Sequence, residues 1–219
     1  MNRSSIFAGL LLVFPVVGCP SSNTTQDCTP VDLSWIDTAP RCGEDPILYN
    51  DVTAPRAVTP GCQVFVNHLD FTRGSDAEAP NLRGIRGTLS DVAFFGNGNL
   101  NDLSGLETIE RIGGVLQLTM ARNLTSLHGL RSLRSVGNLA LDTTAVSSLE
   151  GLEQLREVGH LVIRDNRDLT SLRGLEGLCR ITNGVTIFGN PLLPESEIQA
   201  FLARVEITGP IVLRDPSGP

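Results

Sequence analysis

The sequence contains no lysine: all 17 basic residues are arginine, set against 24 aspartates and glutamates. The formal net charge is −7, and it becomes 16 − 24 = −8 if Arg3 leaves with a leader. A chain this acidic lacks the basic footprint that nucleic acid or an anionic lipid surface would need, so no nucleic-acid partner is expected. Long apolar runs are also missing. Ile6 to Val17, interrupted by Gly9 and Pro15, is too short for a hydrocarbon core of ~30 Å, which needs ~20 apolar residues in a helix. There is no Gly-x-Ser-x-Gly, no phosphate loop and no His-Glu-x-x-His. The three histidines, His68, His128 and His160, occupy unrelated places in the repeat described below, which suggests neither a triad nor a shared metal site. We therefore expect no catalytic residue, no metal and no cofactor.

What is present begins with a leader pattern. One positive charge, Arg3, precedes the short apolar run, and small residues follow it, as in a secretory signal. Val16-Val17-Gly18-Cys19 resembles the bacterial lipobox. That resemblance implies a signal peptide over residues 1–18, cleavage before Cys19 and diacylglycerol on the Cys19 sulfur. Two or three acyl chains make a stable anchor, at ~0.8 kcal/mol per buried methylene. Pro20 stands where such proteins, when retained at the inner membrane, commonly carry aspartate. The expected location is thus the cell envelope, at the outer membrane, with the bilayer as partner through Cys19.

Of five cysteines, assigning Cys19 to lipid leaves Cys28, Cys42, Cys62 and Cys179. Four cysteines in an exported chain suggest two disulfides, with three connectivities open. Cys28 with Cys42 could staple a small loop, and Cys179 could pair with Cys62. The spacings do not suit zinc. Residues 19–61 carry Pro20, Pro30, Pro40, Pro46, Pro55 and Pro60 and read as a stiff tether. Within it Trp35, Ile36, Ile47, Leu48 and Tyr49 offer apolar surface with which to dock on the body.

From residue 62 to 219 the chain repeats itself. Leu103-Ser104-Gly105-Leu106, Leu127-His128-Gly129-Leu130, Leu149-Glu150-Gly151-Leu152 and Leu172-Arg173-Gly174-Leu175 place their glycines 24, 22 and 23 residues apart, and Leu82-Arg83-Gly84-Ile85 is a fainter copy. Each unit continues with aliphatics three and six residues on (Ile109 and Ile112, Leu133 and Val136, Leu155 and Val158, Leu178 and Ile181). A glycine-rich corner and an alternating strand follow, the strand carrying Leu116 and Leu118, Leu139 and Leu141, Leu161 and Ile163, or Val185 and Ile187. Val92 and Phe94 fill the same slots earlier; Ile211 and Leu213 read as the last strand. A ~23-residue unit cannot bury its own apolar face, but stacked units share a core, with strands ~4.8 Å apart and every second side chain pointing inward. The expected fold is all-β, a parallel solenoid of five to six coils. Turn asparagines follow the strands: Asn97, Asn123, Asn166 and Asn190. We read them as structural, each bonding the backbone of the neighbouring turn.

The pattern Gly-Leu-x-x-Leu-x-x-Ile-x-Gly-x-Leu-x-Ile-x-x-Asn-x-x-Leu-x-x-Leu resembles the receptor L domain of insulin-receptor and epidermal-growth-factor-receptor ectodomains. The stretch GLEQLREVGHLVIRDNRDLTSLRGL, ending at Leu175, carries it best. The resemblance spans roughly residues 62–213 and implies a right-handed, single-stranded β-helix and a ligand-binding role. Ordinary leucine-rich repeats share much of this spacing. The open ends of a solenoid need caps. Pro194 to Val205, with Ile198, Phe201, Leu202 and Val205 on one face, is expected to be a short capping helix. At the other end Val64 and Val66 suggest a strand, and Asp70 to Asn81 a polar insertion.

Carboxylates follow several strands. Asp142 and Asp165 align by sequence on adjacent coils, the one hint of a β-helix polysaccharide hydrolase or lyase; turn-capping is the simpler role. Cys179 falls in the slot of Glu110, Arg134 and Arg156, near the surface. Arg122, Arg131, Arg134, Arg156, Arg164, Arg167 and Arg173 are expected outside, some paired with Glu107, Glu150, Glu153 or Glu157. The reading is of a membrane-anchored, extracytoplasmic lipoprotein whose solenoid is a non-catalytic recognition or scaffold module for a protein or glycan ligand. The alternatives are the polysaccharide enzyme and an ordinary leucine-rich-repeat structural protein of the envelope.

Overall fold

A computed structural model describes residues 28–42, 61–65, 68–71 and 82–213. The signal peptide, Cys19, residues 43–60, Val66 and the insertion at 72–81 lie outside the described residues. In chain order the elements are α1 (Trp35–Thr38), β1 (Arg41–Cys42), β2 (Val64–Phe65), β3 (Leu69–Asp70), β4 (Gly87–Thr88), β5 (Val92–Phe95), β6 (Arg111–Thr119), a 3₁₀ turn (His128–Leu130), β7 (Ser135–Asp142), β8 (Glu157–Arg164), β9 (Arg180–Phe188), α2 (Glu195–Arg204), β10 (Glu206–Ile207) and β11 (Ile211–Val212). The chain is mostly β: a parallel solenoid of about six turns with coils of ~24 residues.

Every described strand pairing is parallel, and equivalent residues of successive coils lie side by side. Leu116, Leu139, Leu161 and Val185 form one inward row; Leu118, Leu141, Ile163 and Ile187 form the next. All eight are buried, as are the leucines of each Leu-x-Gly-Leu corner. Burying such a side chain contributes ~1.5–3 kcal/mol, so stability grows with each coil added to the stack.

The uneven repeat has a local cause. β6 and β9 each carry one extra residue at a bulge, after Ile112 and after Ile181, which β7 and β8 lack. The corner after β7 is one residue shorter than its neighbours. Bulge and long corner give 24 residues, neither gives 22, and the long corner alone gives 23. The inward rows stay in register throughout.

Glycine at the Leu-x-Gly-Leu corner is set by close approach. A Cβ on Gly129 would lie 1.9 Å from the carbonyl oxygen of Leu103, and one on Gly174 equally close to that of Leu149. Gly105, Gly151 and Gly174 also have φ of 103°, 109° and 108°, a region L side chains avoid.

The C-terminal end is closed as expected. α2 buries Ile198 and Phe201 against the last coil, with Leu193 and Val205 beside them. Glu197 reaches back one coil: its carboxylate accepts the Leu172 N–H at 2.8 Å and the Ser171 hydroxyl at 3.2 Å. Ile211 lies in the last strand, as expected. It pairs with Val185 in register, and with no further coil over it among the described residues it is 43% exposed. Leu213 packs partly against the core.

Residues 28–42, within the stretch read as a tether, lie against the body. α1 buries Ile36, Trp35 stacks under the Arg86 guanidinium 4.0 Å from its ring, and β1 adds a strand beside β2. The Gln63 N–H donates to the Pro40 carbonyl at 2.8 Å. Cys28 is disulfide-bonded to Cys179 with Cα atoms 5.5 Å apart. That pairing excludes both bridges considered from the sequence, the Cys28–Cys42 loop and Cys62–Cys179. Cys62 is itself disulfide-bonded. Cys179 sits in its near-surface slot, but the bridge leaves it only 8% exposed.

Candidate functional site

Because side chains alternate along a strand, the rows between the two buried ones face outward. One such row is Ala93, Gln117, Ala140, Val162 and Thr186; the next is Phe95, Thr119, Asp142, Arg164 and Phe188. Together they make a flat face across five strands. Its first row is uncharged and, apart from Gln117, short, and its middle strands are held by local bonds. Gln117 Nε2 donates to Thr119 Oγ1 at 3.3 Å, His160 Nε2 lies 3.1 Å from Thr186 Oγ1, and Arg164 Nε donates to Asp142 Oδ2 at 2.7 Å. The Thr143 hydroxyl also donates to Asp142 at 2.7 Å. At one edge Phe95 and Met120 stay open, 38% and 45% exposed.

This register corrects one sequence alignment. Asp142 stands opposite Arg164, not Asp165, and the two make an ion pair. Asp165, with φ of 56°, lies one residue further, at the positive-φ corner position also held by Gly96, Met120, Thr143 and Gly189. The paired-carboxylate row that a polysaccharide enzyme would have used is therefore a row of Thr119, Asp142 and Arg164.

The next position along the corner turns inward and forms the asparagine column. Asn166 Oδ1 accepts the Thr144 N–H at 3.0 Å and the Thr144 hydroxyl at 2.7 Å, while its Nδ2 donates to the Leu141 carbonyl at 3.1 Å. Asn190 repeats the pattern one coil on, accepting the Asn166 N–H at 3.0 Å and donating to the Ile163 carbonyl at 3.0 Å. Asn97 is buried in the same column, its Oδ1 without a partner among the described residues. Asn123 is not in the column. Ala121 occupies that position and is buried, while Asn123, two residues further, is exposed. Spacing counted from the leucines could not separate the two, because the corner has two more polar places beyond the inward one.

The remaining candidates scatter. His128 is exposed, on the 3₁₀ turn. His68 lies between Asp91 and Asp70, at 3.4 and 4.0 Å. Among the described residues no group of three or more His, Cys, Asp or Glu side chains is placed to hold a metal. Of the arginines, Arg164 pairs with Asp142, Arg173 with Glu150, and Arg86 with Glu110. Arg204 lies over the Phe201 ring, and burial lowers its guanidinium pKa, an effect that Glu176 only partly offsets.

One structural column was missed in the sequence. Glu107, Glu153 and Glu176 each accept the N–H of the glycine two residues earlier, Gly105, Gly151 and Gly174, at 2.8 Å. These carboxylates cap their own corners; Glu107 and Glu153 were expected to pair with arginines. The signal was present, since Gly-Leu-Glu recurs in three coils. The fourth has Gly129-Leu130-Arg131 and makes the 3₁₀ turn instead. The chain matches no family model, no curated protein and no solved structure.

Proposed function

We propose that this chain is a lipid-anchored envelope protein whose L-domain-like solenoid recognises a protein or glycan through its flat strand face. The observation that carries the reading is that face itself: five parallel strands in register, with the short row of Ala93, Gln117, Ala140, Val162 and Thr186 at its centre. Short side chains let a partner approach the sheet closely, and stacked coils extend the contact in one direction. The polar groups flanking it are already fixed by one another, so a partner meets a preorganised surface. A disulfide 151 residues in span supports an oxidising compartment, as the lipobox-like leader does.

The polysaccharide-enzyme reading loses its one specific support, because Asp142 is engaged by Arg164 and Thr143. An ordinary leucine-rich-repeat structural role is the remaining alternative. Labelling cells with radioactive palmitate tests the anchor: wild type should take up label and Cys19→Ala should not, and label kept by the variant removes the anchor. Glycan arrays and envelope extracts probed with the wild-type protein and with Ala140→Arg and Val162→Arg variants test the face. A specific partner lost by both variants supports recognition there; a partner bound equally by all three removes it.

A further inference from the structure

The chain enters the body at the wrong end for its sequence order. Cys28 is bonded to Cys179, one residue before β9, whereas Trp35, seven residues later, packs at Arg86 and Gly87 beside β4. Between those points runs the corner column Arg86, Glu110, Arg134, Arg156 and Cys179, each N–H donating to the carbonyl one coil earlier. Four coil steps of about 4.8 Å make ~19 Å. Seven residues reach at most ~25 Å. The stretch from Cys28 to Trp35 covers that distance with room for the turn in which the Ile36 N–H donates to the Leu33 carbonyl, a strap that travels back along the stack from its C-terminal coil to its N-terminal coils before the winding begins.

We propose that this strap inverts the body with respect to the membrane, so that the α2-capped end faces the bilayer and the coil carrying β5 faces away. The proposal rests on the lipidated Cys19 of the preceding section. Cys19 lies nine residues before Cys28, a reach of at most ~32 Å. With the disulfide closed, the first described residue, Cys28, is held at the C-terminal coil. With it open, the first fixed points are Trp35 and Ile36, at the opposite end, and the reach grows to ~55 Å. One covalent bond thus sets both the length of the leash and the end of the solenoid that it holds. The strand face then stands upright from the lipid surface, with Phe95 and Met120 at its distal edge.

The test places a donor fluorophore at Gln199, exposed on α2, or at Asn101, exposed in the corner after β5. The full-length lipidated protein is reconstituted in vesicles of phosphatidylethanolamine and phosphatidylglycerol carrying an acceptor on the headgroups. Transfer from position 199 should exceed that from 101, with a height difference approaching ~20 Å. Cys28→Ser with Cys179→Ser should abolish or reverse the order. Equal transfer from the two positions, or more from 101, in the disulfide-closed protein overturns the proposal. A second arm replaces residues 1–18 with a histidine tag and binds the chain to nickel-chelating vesicles, where the same order is expected without lipid on Cys19. Failure of palmitate labelling with the order kept in this arm removes the anchor and leaves the strap's exit point standing. Palmitate uptake with equal transfer removes the orientation and leaves the anchor.

Discussion

Asn166 accepts both the backbone N–H and the hydroxyl of Thr144, at 3.0 and 2.7 Å, across the gap between two successive coils. Its own amide donates to the Leu141 carbonyl, so one side chain closes three buried polar groups of the neighbouring turn. Buried groups left unpaired cost ~1–3 kcal/mol each. Asn166→Leu is expected to lower stability by about 3 kcal/mol or more in urea denaturation followed by circular dichroism. Asn123→Leu, outside the column, should stay within ~0.5 kcal/mol, the usual range for an exposed site. Equal losses would show that the column does not hold the corners.

Gly129 and Gly98 separate packing from conformational freedom. A Cβ at Gly129 meets the Leu103 carbonyl at 1.9 Å, while one at Gly98 meets nothing within 4 Å. Gly129→Ala must push two coils apart, and overpacking of that kind costs ~1–3 kcal/mol or more. Gly98→Ala should leave the melting temperature unchanged or slightly raised. A stable Gly129→Ala protein would contradict the close stacking of these corners.

The Cys28–Cys179 bridge closes a loop spanning 151 residues, and chain-entropy arguments assign loops of that order up to ~5 kcal/mol. Reducing agent, or Cys28→Ser with Cys179→Ser, is expected to lower the denaturation midpoint accordingly. The far-ultraviolet spectrum should remain, because the inward rows do not depend on the bridge. A midpoint unmoved by reduction would mean that the docked strap adds nothing to the body.

Phe201 is the main apolar plug of α2. Phe201→Ala should cost ~3–5 kcal/mol, as for other buried aromatics. Hydrogen exchange should rise first at β10 and β11, whose short pairings with β9 close the same end. Glu197→Gln, which keeps the acceptor oxygen but loses the charge, should cost less than Glu197→Ala, since the Leu172 N–H and Ser171 hydroxyl need an acceptor. Exchange rising uniformly over the solenoid would show that the helix is not a local cap.

The repeat of Leu, Ile and Val is enough to assign each inward row and the capping helix. Those places depend only on periodicity: a side chain that recurs in every coil at the same offset has the same neighbours in every coil. Bulges after Ile112 and Ile181 changed the spacing without disturbing that rule, because the extra residues sit outside the rows. What failed were assignments made by counting past a corner. Asp165 was set beside Asp142, and Asn123 in the column that Ala121 fills. Corner length varies, and register is fixed by strand pairing on either side.

Sequence alone therefore determined the architecture, since one coil's apolar face has no way to leave water except against the next coil. The Gly-Leu-Glu corners are equally local, each carboxylate capping the N–H two residues before it, although the leucine periodicity does not reveal them. The partner of Cys28, the docking of Trp35 on Arg86 and Gly87, and the union of Asp142 with Arg164 belong to the tertiary structure. The first two join groups whose separation in the chain carries no period and which only the run of the strap along the stack brings together; Asp142 and Arg164 are one coil apart, but the strand register, not the count past the corner, sets them opposite each other.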